Sequence, residues 1–195
     1  MPNVDQPIDE EFPCLAGQFL IAMPGMHDPR FEKSLIYLCA HSADGAMGLI
    51  VNRAFNTITF PDMLEQLEID VTSAGLSINI LFGGPVESDR GFVLHTNDYL
   101  KDTTLAIDND LSLTATPDIL KAIAIGAGPL QCLLALGYAG WGPGQLDVEM
   151  KSNGWLNVAA DKDLVFDCNL GGKWDRAMKK IGIDPRMLSQ SIGQA

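Results

Sequence analysis

The stretch Gly137-Tyr-Ala-Gly-Trp-Gly-Pro-Gly-Gln-Leu-Asp-Val-Glu-Met150, running on to Trp155, restricts this chain more than any other. Glycines at 137, 140, 142 and 144 let a backbone take positive φ or approach another group closely, which residues with side chains rarely do. A specially shaped loop is therefore expected, with a helix following near Pro143 to Lys151. On that helix Gln145 and Glu149 share one face, while Leu146 and Met150 share the adjacent one. Trp141 and Trp155 bracket it. Two amphipathic rings placed this way can wall a recess whose polar rim is Gln145 and Glu149. The competing expectation is that both indoles simply fill the core.

A strand, then Gly140-x-Gly142-x-Gly144, then a helix superficially resembles a dinucleotide-binding turn. The spacing fails, because a third glycine is needed at 147. Asp147 stands there and puts negative charge in the first helical turns, which repels a pyrophosphate. The glycine-lysine-serine end of a P-loop is absent.

The flanking chain reads as strand-rich. Strands are expected over Gln18 to Met23, Ser34 to Ala40, Met47 to Val51, Ile78 to Phe82, Gly91 to His95, Leu105 to Ile107 and Leu111 to Ala115. Further strands are expected over Gln131 to Leu136, Trp155 to Val158 and Leu164 to Phe166. Both faces of the second strand are apolar, with Leu35, Tyr37, Cys39 and His41 on one side and Ile36, Leu38 and Ala40 on the other. It reads as a central strand. Asp44-Gly45 is a hairpin turn, and Glu87 to Arg90 reads as a polar turn. Helices are expected near Pro61 to Leu67, capped by Thr59, after Thr116-Pro117-Asp118, where Thr116 offers a capping hydroxyl, and near Lys173 to Ile181. Residues 1–13 read as a flexible acidic tail and 14–195 as a single domain, with no repeat or linker.

Thirteen Lys and Arg against 25 Asp and Glu leave a net charge of −12, which disfavours direct nucleic-acid binding. The densest basic stretch, Lys173, Arg176, Lys179 and Lys180, falls largely along one helix flank and reads as a solvated face. There is no basic start or long apolar run of a secretory signal, and no run of ~20 apolar residues for a membrane helix. A cytoplasmic setting is expected. Cysteines 14, 39, 132 and 168 show no zinc-like pairing, and histidines 27, 41 and 95 show no metal spacing, so neither metal nor cofactor is expected.

Other residues carry competing readings. Cys39 and His41 point the same way from one strand and could form a thiolate-imidazole pair, although Leu38 and Ala40 make an apolar setting unsuited to a reactive thiol. His95 is either a strand-end residue bonded to backbone or a pocket residue. Arg53 and Arg90 adjoin strand ends and could aim a charged fork at a carboxylate ligand or a partner. With Asn52 and Gly84 they complete the candidate pocket: Asn52, Arg53, Gly84, Arg90, His95, Trp141, Gln145, Glu149 and Trp155.

Leu15-Ala-Gly-Gln-Phe-Leu-Ile-Ala-Met-Pro24, Gly45-Ala-Met-Gly-Leu-Ile-Val-Asn-Arg53, Gly83-Gly-Pro-Val86, Asp89-Arg-Gly-Phe-Val-Leu-His95 and Gly137-Tyr-Ala-Gly-Trp141 with Gly144-Gln-Leu146 closely resemble the bacterial YqgE/AlgH family. Trp155-Leu156, Trp174, Gly182 and Gly193-x-Ala195 continue the match in order. Ala40 and Ala54 depart from it, replacing a glutamate and a proline common in the family. The first departure weakens any carboxylate-assisted role for His41. The resemblance implies an α/β (α+β) unit whose bent, bifurcated, mixed/antiparallel β-sheet forms a pseudo-barrel with helices packed outside. It implies no known reaction and no catalytic residues, since the family's label of transcriptional regulator is genetic rather than chemical. The expected role is therefore a non-catalytic regulatory or adaptor protein acting through a protein partner. The alternative is a small-molecule-binding protein or enzyme using the pocket near Trp141 and Glu149.

Overall fold

In a computed structural model the protein is described over residues 14–70, 78–184 and 187. The acidic segment 1–13 and the closing Gly193-x-Ala195 lie outside these residues. The described strands are β1 (Gln18–Ala22), β2 (Leu35–Ser42), β3 (Gly45–Ile50), β4 (Ile80–Phe82), β5 (Val86–Thr96), β6 (Thr104–Ala106), β7 (Leu111–Thr114), β8 (Cys132–Trp141) and β9 (Trp155–Ala159). The described helices are α1 (Phe60–Gln66), α2 (Pro117–Ala124), α3 (Gln145–Lys151), α4 (Lys162–Phe166) and α5 (Leu170–Lys180).

One bent sheet runs β6-β7-β5-β8-β3-β2-β1-β9, with β4 joined separately to β8. The fork lies on β8. Its first half pairs antiparallel with β5 and parallel with β4, at Ile80 opposite Leu134 through Phe82 opposite Leu136. Its second half pairs with β3, at Ala139 to Trp141 opposite Gly48 to Ala46. Gly83 fills the crotch between the branches: its N–H donates to Leu136 O (2.8 Å) and its carbonyl accepts from Ile50 N (2.9 Å). Such contact leaves no room for a side chain. A Cβ on Gly84 would meet the Tyr138 carbonyl and the Ala139 nitrogen inside the 3.0 Å that real Cβ contacts essentially never breach. The glycines therefore let two backbones cross where the sheet divides.

Three apolar clusters follow from the curvature. Leu35, Tyr37 and Cys39 face α4 and α5 with Leu164, Trp174 and Met178. Ile36 and Leu38, on the opposite face of the same strand, pack with Trp141, Leu146 and Trp155. Thus β2 is covered on both sides, as its uninterrupted apolar run requires. The third cluster joins α1 and α2 to β5 and β8 through Phe60, Ile119, Val93 and Leu134.

Four local expectations change. Gly137 to Trp141 is not a loop but the second half of β8. Gly137 sits there at φ +69°, within close approach of the Gly84 and Val86 carbonyls. Glu87 to Arg90 is a bulge inside β5, between Val86 opposite Tyr138 and Gly91 opposite Leu136. Residues 164–166 belong to α4 rather than a strand, because Asp161 caps that helix by accepting from Leu164 N (2.6 Å). Thr116 makes no capping hydrogen bond, and its hydroxyl pairs instead with that of Thr103 at 3.3 Å. By contrast Thr59 and Asp62 form a reciprocal capping box on α1.

Candidate functional site

Gly144, at φ +67°, turns the chain from β8 into α3. The first turn of α3 then folds back on the strand end: Gln145 Oε1 accepts from Gly142 N (3.0 Å), and Gln145 Nε2 donates to Glu149 Oε1 (2.8 Å). The other carboxylate oxygen, Oε2, accepts from both indoles, Trp141 Nε1 at 2.9 Å and Trp155 Nε1 at 2.8 Å. The two rings meet edge-to-face with centroids 5.8 Å apart. Phe31 packs edge-to-face on Trp155 at 5.7 Å. Sequence spacing thus places Glu149 where one carboxylate ties together β8, α3 and β9.

Both tryptophans are buried. A recess of about 350 Å³ lies beside them, lined also by Asp28, Arg30 and Phe31. The chemistry of its rim is set by counting donors. A carboxylate offers about four acceptor positions, and three donors already occupy Glu149. Glu149 is accordingly a structural tie first. Glu149→Ala orphans two indole N–H groups on buried rings and is expected to lower stability by about 2–3 kcal/mol. Urea unfolding checks this, with the tryptophan emission shifting to the red as water reaches the rings.

Of the nine pocket residues expected from sequence, four converge here: Trp141, Gln145, Glu149 and Trp155. The others stand elsewhere. Asn52 clamps the start of β2, accepting from Leu35 N (2.9 Å) and donating to Lys33 O (2.8 Å). Among the described residues Arg53 forms no ion pair with a carboxylate, although its charge is one of the minor causes that lower the Asp28 pKa. Its guanidinium donates to Arg30 O (2.6 Å) and Glu32 O (2.5 Å), holding the turn that presents Phe31 to Trp155. Gly84 acts through its missing side chain at the fork. Arg90 sits on the β5 bulge, paired with Glu87 at 3.0 Å. His95 is fully buried between Thr96 O and Thr114 Oγ1, each at 2.9 Å, and desolvation lowers its pKa.

Cys39 and His41 do not pair. A bulge between Leu38 and Ala40 breaks the alternation of β2, so that His41 lies opposite Ala46 and reaches the α3 face. His41 Nδ1 accepts from Leu15 N (3.2 Å) and Nε2 lies 3.7 Å from Asp147. Cys39 stays in the core, where burial drives its thiol pKa far up. Among the described residues no group of three His, Cys, Asp or Glu is placed to hold a metal ion. No described helix is long and apolar enough to cross a membrane.

On the basic flank of α5, Arg176, Lys179 and Lys180 are exposed as expected, and Lys173 differs. Lys173 is buried, not solvated: Nζ donates to Val51 O (2.9 Å) and Val165 O (2.7 Å), and burial lowers its pKa to about 8. Arg176 pairs with Asp167, and Lys180 pairs with Asp161. Sequence periodicity missed this because Val51 O lies just past the end of β3 and Val165 O lies in the last turn of α4. Both carbonyls lack ladder partners that only the assembled fold reveals.

A family model described as AlgH-like (DUF179) matches residues 19–186. The chain belongs to the AlgH-like family. It is similar to a UPF0301 protein of Rhodospirillum rubrum, 55% identical over 181 residues covering 93% of this chain and 94% of that one. It is similar also to a UPF0301 protein of Afipia carboxidovorans, 57% identical over 189 residues covering 93% and 90%. Among solved structures, the AlgH protein from Pseudomonas aeruginosa superposes with a TM-score of 0.76 at 38% identity, covering 100% of this chain and 98% of that one. A Corynebacterium diphtheriae protein superposes at 0.66 with 20% identity over 85% and 86%, a likeness of fold alone. The forked half-barrel is thus the AlgH-like architecture, and the tryptophan tie is built on its fork.

Proposed function

We propose that this AlgH-like protein is a non-catalytic regulator that acts through a protein partner rather than by gripping DNA. The observation that carries the reading is the state of its densest basic stretch. Of its four cations, Lys173 is withdrawn into the core and Arg176 and Lys180 are paired with Asp167 and Asp161, which leaves the exposed Lys179 as a lone charge rather than a cluster. Phosphate contacts draw on clustered free cations, and a net charge of −12 opposes the approach of a polyanion. The reactive groups point the same way. Cys39 is buried as a thiol, His95 is held between a carbonyl and a hydroxyl, and Glu149 is taken up by three donors.

Fluorescence anisotropy of the full chain against a random duplex library at low salt tests the first half. No sequence-selective, saturable binding is expected; selective binding with a steep salt dependence contradicts the reading. The second half is tested by cross-linking in cell extract followed by reconstitution from purified components. A stoichiometric complex is the expected result, and its failure for every cross-linked protein overturns the adaptor role.

The aromatic walls of the recess beside Trp141 support a second reading, a small-molecule-binding protein or enzyme. A metabolite thermal-shift screen separates the two. Stabilisation by a compound, lost in Trp141→Ala and Glu149→Gln, would favour the second.

A further inference from the structure

A second concavity, about 750 Å³, opens on the other side of Val86 and Gly140 from the tryptophan recess. Its walls are apolar, with Met47, Phe92, Leu105, Leu113 and Tyr138. Phe92 and Tyr138 meet edge-to-face at 5.6 Å and present a joined aromatic floor. This volume lies within the usual range of small-ligand sites, which pair apolar walls with a few fixed polar groups.

The polar group is delivered by the β5 bulge. Between the pairs Val86 with Tyr138 and Gly91 with Leu136, β5 advances five positions while β8 advances two. The surplus residues leave the ladder, and Glu87 adopts φ +47° without being glycine. Bulges re-aim side chains, and strained non-glycine backbone gathers at ligand clamps. Here the excursion lays the Arg90 guanidinium 5.1 Å above the Phe92 ring. Among the described residues Arg90 is the one basic side chain lining the cleft, whose acids are Asp44 and Glu87. Its side chain is 56% exposed, and Nη1 holds Glu87 Oε2 at 3.0 Å. A guanidinium carries five donors in a planar fork. Glu87 takes one arm of that fork through a single bond, at the place a ligand carboxylate would compete for.

We infer that the cleft over Phe92 and Tyr138 binds a small organic carboxylate with a flat apolar body, its carboxylate taken by Arg90 in competition with Glu87. The apolar body lies on the aromatic floor and the anion sits at the rim. The cleft shares a wall of Val86, Gly140 and Trp141 with the tryptophan recess, but Arg90, Phe92 and Tyr138 take no part in the Glu149 tie, and the site does not depend on partner binding.

Phenylacetate and its uncharged isostere phenylacetamide, titrated into the full-length chain with amide chemical shifts as readout, test the assignment. Phenylacetate is expected to bind in the millimolar range, with shifts centred on Phe92 and Tyr138, and phenylacetamide about tenfold more weakly. Glu87→Gln removes the internal competitor and is expected to tighten phenylacetate binding several-fold. Arg90→Gln is expected to weaken it about tenfold. Both positions are exposed, so an unchanged melting temperature certifies that the variants fold. Equal binding of the amide, indifference to Arg90→Gln, shifts centred on Phe31 and Trp155, or no binding by wild type and Glu87→Gln each overturn the inference.

Discussion

Gly84→Ala is expected to lower stability by about 4 kcal/mol or more, the range in which single substitutions become exceptional. The new Cβ overlaps the Tyr138 carbonyl carbon and oxygen and the Ala139 nitrogen. These are backbone atoms in a buried strand and cannot swing aside as the end of a side chain would. Relief requires β8 to retreat, which breaks its pairing with β3 at Ala139 or with β5 at Tyr138. For a domain of this size the loss corresponds to a fall in melting temperature of about 10 °C or more. Gly144→Ala is the matched control. Gly144 also has positive φ, but nothing stands within 4 Å of its missing Cβ. Only the left-handed strain remains, about 1–2 kcal/mol. If both variants melt alike, close backbone approach is not what Gly84 provides.

The second large effect is a pH dependence centred on Lys173. Burial lowers the amine to about 8 in the folded chain, against about 10.4 when unfolded. Asp167 opposes that shift and Arg176 adds to it. Below pH 8 the lysine is charged in both states and the folded state carries the full burial penalty. As pH rises from 8 towards 10.4 the unfolded state holds more protons, so folding is progressively favoured. The gain between pH 7 and 10 is about 2–3 kcal/mol. A neutral amine also keeps two N–H donors, matching the two carbonyls that Lys173 contacts. Cys39, Cys132 and Tyr37 have raised folded pKa values, so their contributions fall with pH and mask the rise. The comparison that isolates it is wild type minus Lys173→Met, unfolded in urea at each pH. The difference is expected to grow towards alkaline pH. A flat difference shows that the amine is not desolvated.

Much of the fold was legible because local chemistry and tertiary packing agree. The two apolar faces of Leu35 to Ala40, the hairpin expected at Asp44-Gly45, which turns one residue earlier at Ala43-Asp44 with Gly45 opening β3, and the Thr59 cap each specify their own structure. The tryptophan tie was legible in part. Spacing put Gln145 and Glu149 on one helix face between two indoles, yet it could not show that both N–H groups reach the same oxygen. What stayed hidden were features created by pairing partners distant in sequence. The bulge at Cys39 turns His41 towards Asp147, and the excursion at Glu87 lays Arg90 over Phe92. The burial of Lys173 is hidden for the same reason, since its carbonyl partners lie at a strand end and a helix end. The role of Arg53 is hidden too, because nothing in its own segment reveals the turn at 29–32 that it holds.

In this chain the Glu149 carboxylate is a structural tie rather than a reacting group. Hydrogen exchange of the two indole N–H groups tests it most directly, comparing wild type with Glu149→Ala by nitrogen-edited NMR. In wild type both Trp141 and Trp155 indole protons are expected to be protected, and both are expected to lose that protection together in the variant. Rapid exchange of either proton in wild type, or protection unchanged by Glu149→Ala, contradicts the account.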